Sequence, residues 1–400
     1  YRIPYYLLVP NLSDAIRLHD QGLKVVVGEL DNPSVYRRLR VERATMVATT
    51  ASDPVNTHVA FTVRELTETV PIVATADDPA SADILELAGC SRVLQVADLL
   101  GQALARRTHG RDSRSHVVGS YGELQMAEAT VAGTPMVDRT LEEIGLRRDL
   151  GLNVVGVWER GLFETARPES VVHASTVLVM AGTREQLERF DERYRTYRVS
   201  DAPTLIIGGG RVGRAAARTL AERGLDYRIV DQDPKVVSDS EQFVLGNAAE
   251  LEVLKEAGID DAPAVIITTH DDDINVYLTV YCRRLRPDIQ IISRVALGRS
   301  ISALHRAGAD FVMSYASLGA NAIFKFLERG DSLMVTEGLD VLKLRMPATL
   351  AGRTMVEAGI RRLTGCTVVA LEIDGEIDAT VDPTVPLPAD AEILLIGSAA

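Results

Sequence analysis

The chain has 400 residues, 46% of them hydrophobic, and a formal net charge of −13. That length exceeds one typical domain and supplies apolar material for several cores, while the acidic balance excludes nucleic acid or an anionic membrane surface as the main partner. No run approaches the roughly 18 apolar residues of a membrane helix, and Cys90, Cys282 and Cys366 lie too far apart for a zinc or disulfide framework, which suits a reducing cytoplasm.

Taken in chain order, the sequence is written twice. Residues 1–112 alternate short apolar runs with helical patterns, and 201–330 repeat them. "ATMVATTASDPVNTHVAFTVREL" aligns with "APAVIITTHDDDINVYLTVYCRRL", with Thr49-Thr50 over Thr268-Thr269 and Asn56 over Asn275 at one constant offset. Gly28 falls over Gly246, Ala88-Gly89 over Ala307-Gly308, and Leu100-Gly101 over Leu318-Gly319. A smaller unit follows each: "DRTLEEIGLRRDLGLNVVGVWERG" in residues 113–200 matches "GRTMVEAGIRRLTGCTVVALEIDG" in 331–400. Boundaries are expected near 108–116, 199–203 and Gly330.

In the second large unit the strands are predicted at 204–207, 227–231, 243–245, 264–268, 290–295 and 311–313, with helices between them. Such alternation predicts an α/β fold: a Rossmann-like, doubly wound parallel sheet with helices on both faces. The small units read as compact α+β modules. The first large unit opens at the equivalent of the second strand and shows no first strand, glycine loop or first helix. A sheet without that central strand exposes two edges, so a preceding segment of roughly 25–30 residues is expected to complete it.

"TLIIGGGRVGRAAARTL" carries the chemistry. Gly208, Gly210 and Gly213 form GxGxxG between a strand and a helix. The first glycine permits the turn, the second lets backbone approach a pyrophosphate, and the third packs helix on strand. Phosphate oxygens would meet the N–H groups and positive dipole end of the helix that begins near Val212. Asp231, ending "YRIVD", is placed for a ribose diol, which favours NAD, ADP or ATP over a 2′-phosphate. Gly246 and Asn247, at the end of the third strand, are candidates to border the adenine, or form an ordinary turn. Thr268 ends the fourth strand at the edge where ligands sit. Arg211 and Arg294 are candidates for phosphates, or for surface or interface ion pairs. Asp271, Asp272 and Asp273 open a helix, where acids most often cap and complement the dipole; a divalent-cation site is the other reading. Glu123 and Glu128 raise the same question in the first small unit. The first copy departs from the pattern: its second strand ends Val9-Pro10-Asn11, without a carboxylate, and Glu29 and Asp31 read as solvated loop acids. The seven histidines do not cluster, so none is assigned as a ligand.

These residues together resemble the RCK (regulator of K⁺ conductance) family: "GGGRVG", "VDQDP", "GNAAELEVLKEAGI", "VIITTHDDDINVYLTVYCRRLRPDIQIISRV", and the small "AGRTMVEAGIRRLTGCTVVALEIDG" module, similar to the RCK C-terminal subdomain. The resemblance covers nearly the whole chain, twice. It implies tandem RCK domains on the cytoplasmic face of the cell membrane. It further implies self-association into a gating ring through crossover helices at 99–108 and 318–328, with Leu99, Leu100, Phe324 and Phe326 at unit-unit contacts. The implied ligands are NAD or ADP/ATP, with Ca²⁺ as a further candidate. Two settings fit. In one, a potassium-channel pore domain precedes Tyr1 in the same polypeptide; in the other, the protein is a peripheral subunit of a Trk-type uptake system. The absent first glycine loop and the absent acid after the second strand favour the channel. A third reading, an NAD-dependent oxidoreductase, lacks a substrate domain with an acid/base constellation, so no enzymatic activity is expected.

Overall fold

The computed structural model describes residues 4–108, 115–131, 133–159, 162–174, 176–194, 202–236, 240–327, 334–336, 339–379 and 381–397. The chain divides into two compact units, Tyr1–Leu99 with Gly319–Arg329, and Leu100–Leu318 with Gly330–Ala400. The division falls inside two helices, Val96–Arg106 and Tyr315–Leu327, which overlap the segments 99–108 and 318–328 where crossover helices are expected. The boundary segments predicted around 108–116 and 199–203 lie partly, and Gly330 and Glu328 wholly, outside the described residues.

In the first unit, β1 (Leu7–Val9) pairs in parallel with β2 (Val25–Val27). Apart from this pair, β3 (Val47–Thr49), β4 (Ile72–Thr75) and β5 (Arg92–Leu94) form a three-stranded parallel sheet. β4 is interior, and Ile72, Val73 and Ala74 are fully buried. β1 and β3 are not: all of Leu7–Val9 is only half-buried and Ala48 is exposed. Unpaired strand edges keep water on their side chains and backbone.

The second unit contains both small modules. In the first module, β6 (His116–Tyr121), β7 (Leu124–Thr130), β9 (Asn153–Glu159), β10 (Leu162–Thr165) and β12 (Thr176–Thr183) form an antiparallel sheet in the order β10-β9-β12-β7-β6, while β8 (Arg139–Thr140) pairs with β11 (Val171–Val172). The central strand β12, TVLVMAGT, is buried at every position but the last. Short helices between β8 and β9 start at Thr140, whose hydroxyl accepts from the Glu143 N–H while the Glu143 carboxylate accepts from the Thr140 N–H. This reciprocal cap explains the repeated R-T-x-x-E pattern, because Thr354 and Glu357 make the same box in the second module.

The larger sheet holds β13 (Thr204–Ile207), β14 (Tyr227–Asp231), β15 (Phe243–Leu245), β16 (Ala264–Ile267), β17 (Gln290–Val295) and β18 (Phe311–Ser314). All pairs are parallel, in the order β15-β14-β13-β16-β17-β18. β13 and β16 are buried along their whole length, as uninterrupted TLII and AVII runs require of central parallel strands. Among the described residues, no strand in the first unit stands where β13 stands here.

The second small module repeats the first: β19 (Met334–Thr336), β20 (Leu339–Arg345), β21 (Thr367–Ile373), β22 (Glu376–Asp378) and β23 (Glu392–Gly397), ordered β22-β21-β23-β20-β19. The two modules share one core, in which Met126, Val155 and Val179 of the first pack with Val369, Leu394 and Ile396 of the second. Their contacts are reciprocal. Arg147 donates to the Val381 carbonyl at 2.6 Å, and Arg361, which the repeat places over Arg147, donates to the Ala166 carbonyl at 2.8 Å.

Candidate functional site: a nucleotide loop with a cationic mouth

The glycine loop joins β13 to the helix Arg211–Glu222, and its shape follows from contacts a side chain would break. Gly208 has φ +104°, a left-handed conformation that glycine adopts without strain. A Cβ at Gly213 would lie 1.9 Å from the Gly208 carbonyl oxygen, so only hydrogen lets the helix close on the turn. Thr268, at the end of β16, is 2% exposed, and its hydroxyl donates to the Ile207 and Gly208 carbonyls at 3.1 and 2.8 Å. Its part in the site is therefore to hold the loop from beneath, not to meet a ligand at the cleft as expected.

Asp231 ends β14 beside the loop, where the sequence places it. Its carboxylate accepts from the Gly209 N–H at 2.6 Å and from the Asp233 N–H at 2.9 Å. Each carboxylate oxygen retains acceptor capacity for a ribose diol, so the residue fixes the loop and faces its mouth together. Arg214 closes the outer side, donating to the Gly209 and Val236 carbonyls. Val212 is buried, so only its backbone belongs to the helix start. Gly246 follows β15, its N–H donating to the Asp231 carbonyl at 2.9 Å. Asn247 is exposed, and its side chain accepts from the Ala249 N–H, forming a turn next to the site.

Arg294, on β17, and His270, just after β16, complete the mouth. The position of a Gly210 Cβ is 3.4 Å from His270 Nε2, and His270 Nδ1 is 3.4 Å from Arg294 Nη1. Arg294 is 5% exposed, lies over the Tyr315 ring at 5.6 Å, and its Nε has no hydrogen-bond partner among the described residues. Burial pushes its guanidinium below its ordinary value, against the opposing pull of Asp272 and Tyr315. His270 is held below the usual histidine value first by desolvation, then by Arg294 and Arg211, with Asp231 opposing. Sequence reasoning set His270 aside because histidines do not cluster along the chain. The signal was its place directly after Thr268-Thr269, since in this strand order the end of β16 lies next to the end of β13.

The acidic run is structural. Asp271 caps the helix Asp272–Leu285, accepting from the Asp273 and Ile274 N–H groups, and Asp272 accepts from the Ala296 and Leu297 N–H groups after β17. The first copy does the same with Asp53 and the N–H groups of Asp77 and Asp78. Asn275, fully buried, donates to the Thr269 and Arg294 carbonyls, as Asn56 does to those of Ala51 and Thr75. The cation reading of Glu128 is corrected as well. Its carboxylate pairs with Arg107 at 3.0 Å, with both side chains buried, while Glu123 is exposed. Among the described residues no three His, Cys, Asp or Glu side chains are grouped to hold a metal ion, so none of them supports the Ca²⁺ candidate. In the first copy β1 ends at Val9, which takes the register position of Asp231, its carbonyl accepting from the Gly28 N–H as that of Asp231 does from Gly246; Asn11 follows at the start of the helix Leu12–Asp20, and Glu29 and Asp31 are exposed loop acids, as expected.

The loop helix also contacts the first crossover helix. Gly101 lies where a Cβ would come within 2.5 Å of the Val212 carbonyl oxygen and Ala215 Cβ, and Arg223, at the far end of the loop helix, donates to the Ala105 carbonyl. Leu100 is fully buried, whereas Leu99, Phe324 and Phe326 are exposed in the single chain.

Comparison with known proteins fits this architecture. The TrkA-N domain model matches residues 3–96 and 204–315, and the TrkA-C domain model matches 126–194. Potassium channel protein 1 of Methanocaldococcus jannaschii is 25% identical over 207 residues, 48% of this chain and 60% of that protein. Probable potassium channel protein 2 of the same organism is 26% identical over 219 residues, 50% of this chain and 64% of that one. The chain thus spans less than two thirds of the length of these relatives. Among solved structures, the GsuK RCK domain is 36% identical, with a TM-score of 0.66 over 98% of this chain and 87% of that one. The GsuK channel bound to NAD is equally similar, over 72% of its chain. With two TrkA-N units, each followed by a small module of one shared topology, the chain belongs to the TrkA-N family as a tandem RCK protein.

Proposed function

We propose that this chain is the cytosolic sensor of a potassium channel, a gating-ring subunit whose second Rossmann unit binds an adenine nucleotide and thereby regulates potassium flux through a pore carried on the same polypeptide. The observation that carries the reading is the glycine loop bonded to Asp231 beneath a cationic mouth: loop N–H groups, a helix N-terminus, a diol acceptor and two arginines are the parts a nucleotide's phosphates and ribose need. Support comes from the similarity to a GsuK channel bound to NAD and, at 27% identity, to GsuK bound to ADP. The relatives named as potassium channels support the pore, and the exposed Phe324 and Phe326 suit self-association into a ring. Among the described residues no helix is long and apolar enough to cross a membrane.

A ligand moves a gate only through its differential affinity for the two ring states. Potassium flux through the reconstituted full-length protein is therefore expected to change on adding NAD or ADP. Asp231→Ala is expected to abolish that response while conduction persists. Flux that ignores both nucleotides while calorimetry confirms their binding would refute the gating role.

A further inference from the structure

We infer that His270 is a proton-coupled contact to the phosphates of the bound nucleotide, taking up a proton as they arrive at the loop; the inference rests on the nucleotide reading above and adds its regulation by pH. Three observations carry it. The ring lies between loop and arginine: Nε2 is 3.4 Å from where a Gly210 side chain would begin, the place a pyrophosphate needs kept clear, and Nδ1 is 3.4 Å from Arg294 Nη1. A guanidinium only donates, so Nδ1 accepts and the neutral ring presents its Nε2–H to the loop. Behind it Arg294 is buried, and among the described residues its Nε has no hydrogen-bond partner, so this cation's hydrogen-bonding capacity is incompletely met.

The groups facing His270 settle the direction. Arg294 comes from β17, Arg211 from the start of the loop helix, and Asp231 from the end of β14. On its own segment, Asp271 accepts from the Asp273 and Ile274 N–H groups and Asp272 from those of Ala296 and Leu297. Desolvation and the two guanidiniums disfavour the imidazolium, and Asp231 opposes them. Phosphate oxygens between Arg211 and the ring reverse that balance. Protonation then converts Nδ1 from acceptor to donor and frees Arg294 Nη1 for the anion. The bound form holds the extra proton, so affinity rises as pH falls, by at most about tenfold per pH unit for one proton.

The test is titration calorimetry of NAD and of ADP into the whole chain at about pH 6 and about pH 8, in buffers of differing ionisation enthalpy. NAD is the decisive probe, because its phosphodiesters do not titrate in this range and any proton taken up belongs to the protein. The expected result is uptake of up to about one proton with NAD, tighter binding at the lower pH, and loss of both effects in His270→Gln. Since His270 is exposed at the rim, that variant keeps the fold. An NAD enthalpy independent of buffer, or proton uptake that survives His270→Gln, overturns the inference and leaves nucleotide binding standing. Failure of both nucleotides to bind at either pH removes the nucleotide reading and this inference with it.

Discussion

Two glycines of one loop are expected to fail in opposite ways when substituted. An ideal Cβ at Gly213 falls 1.9 Å from the Gly208 carbonyl oxygen and 2.9 Å from Thr268 Oγ1, against an ordinary contact of about 3.5 Å. The obstacle is backbone, and that carbonyl already accepts from Thr268 at 2.8 Å, so relief displaces the turn and breaks the bond. Overpacking of this kind costs about 1–3 kcal/mol and the lost bond about 1 kcal/mol. Replacing a helical glycine by alanine returns about 1 kcal/mol. Gly213→Ala is therefore expected to destabilise the unit by about 1–3 kcal/mol, lowering its melting temperature by several degrees. Gly210 is different: its φ of −67° suits any residue, and its Cβ would meet only His270 Nε2, at 3.4 Å. Gly210→Val should leave stability within about 0.5 kcal/mol yet abolish ADP binding, since the side chain fills the path of the phosphates. Scanning calorimetry with and without ADP reads both effects. A Gly210→Val protein still stabilised by ADP, or a Gly213→Ala protein melting with the parent, would refute this account of the loop.

Glu128→Ala should destabilise the second unit by about 3–5 kcal/mol in urea unfolding, because it strands the buried Arg107 guanidinium, whereas removing both partners with Arg107→Leu should recover part of the loss. Glu372 lies where the small modules meet, accepting from Lys343 at 2.9 Å and Tyr121 at 3.1 Å, and these contacts, Lys343 first, hold its carboxyl below the usual range. A lowered folded-state value means stability present above the unfolded value and lost as pH falls through the folded one, so unfolding curves should show the loss below about pH 4 and Glu372→Gln should flatten it.

The second Rossmann unit was legible almost residue by residue. Its β13 and β16 are short, largely apolar runs buried along their whole length, so hydrophobicity marks them, and the expected end at Thr268 misses the end of β16 by one residue because that hydroxyl turns under the loop. Asp231 was legible because strand register puts it beside the loop. The cationic mouth was only half legible: Arg294 was singled out, but its burial and His270 depend on β16 lying between β13 and β17, an adjacency that no local pattern contains. Repeated residues such as Asn56 and Asn275 were visible as matches, yet their work of tying strand ends together appears only in three dimensions. The meeting of Gly101 with the loop helix is similarly a matter of which distant segments fold together.

The reciprocal grip of Arg147 and Arg361 has a further consequence. Contacts in which each half does to the other what the other does to it are those of a twofold dimer interface, but both halves lie on one chain. A dimer of free modules separates on dilution; here the tether supplies an effective concentration on the order of millimolar, so the joint survives at any expression level. It also frees the halves from identity. In a homodimer every substitution is made twice, whereas in this chain one copy can keep Asp231 at the end of its strand while the other carries Val9 at the matching register, with the interface between the small modules kept.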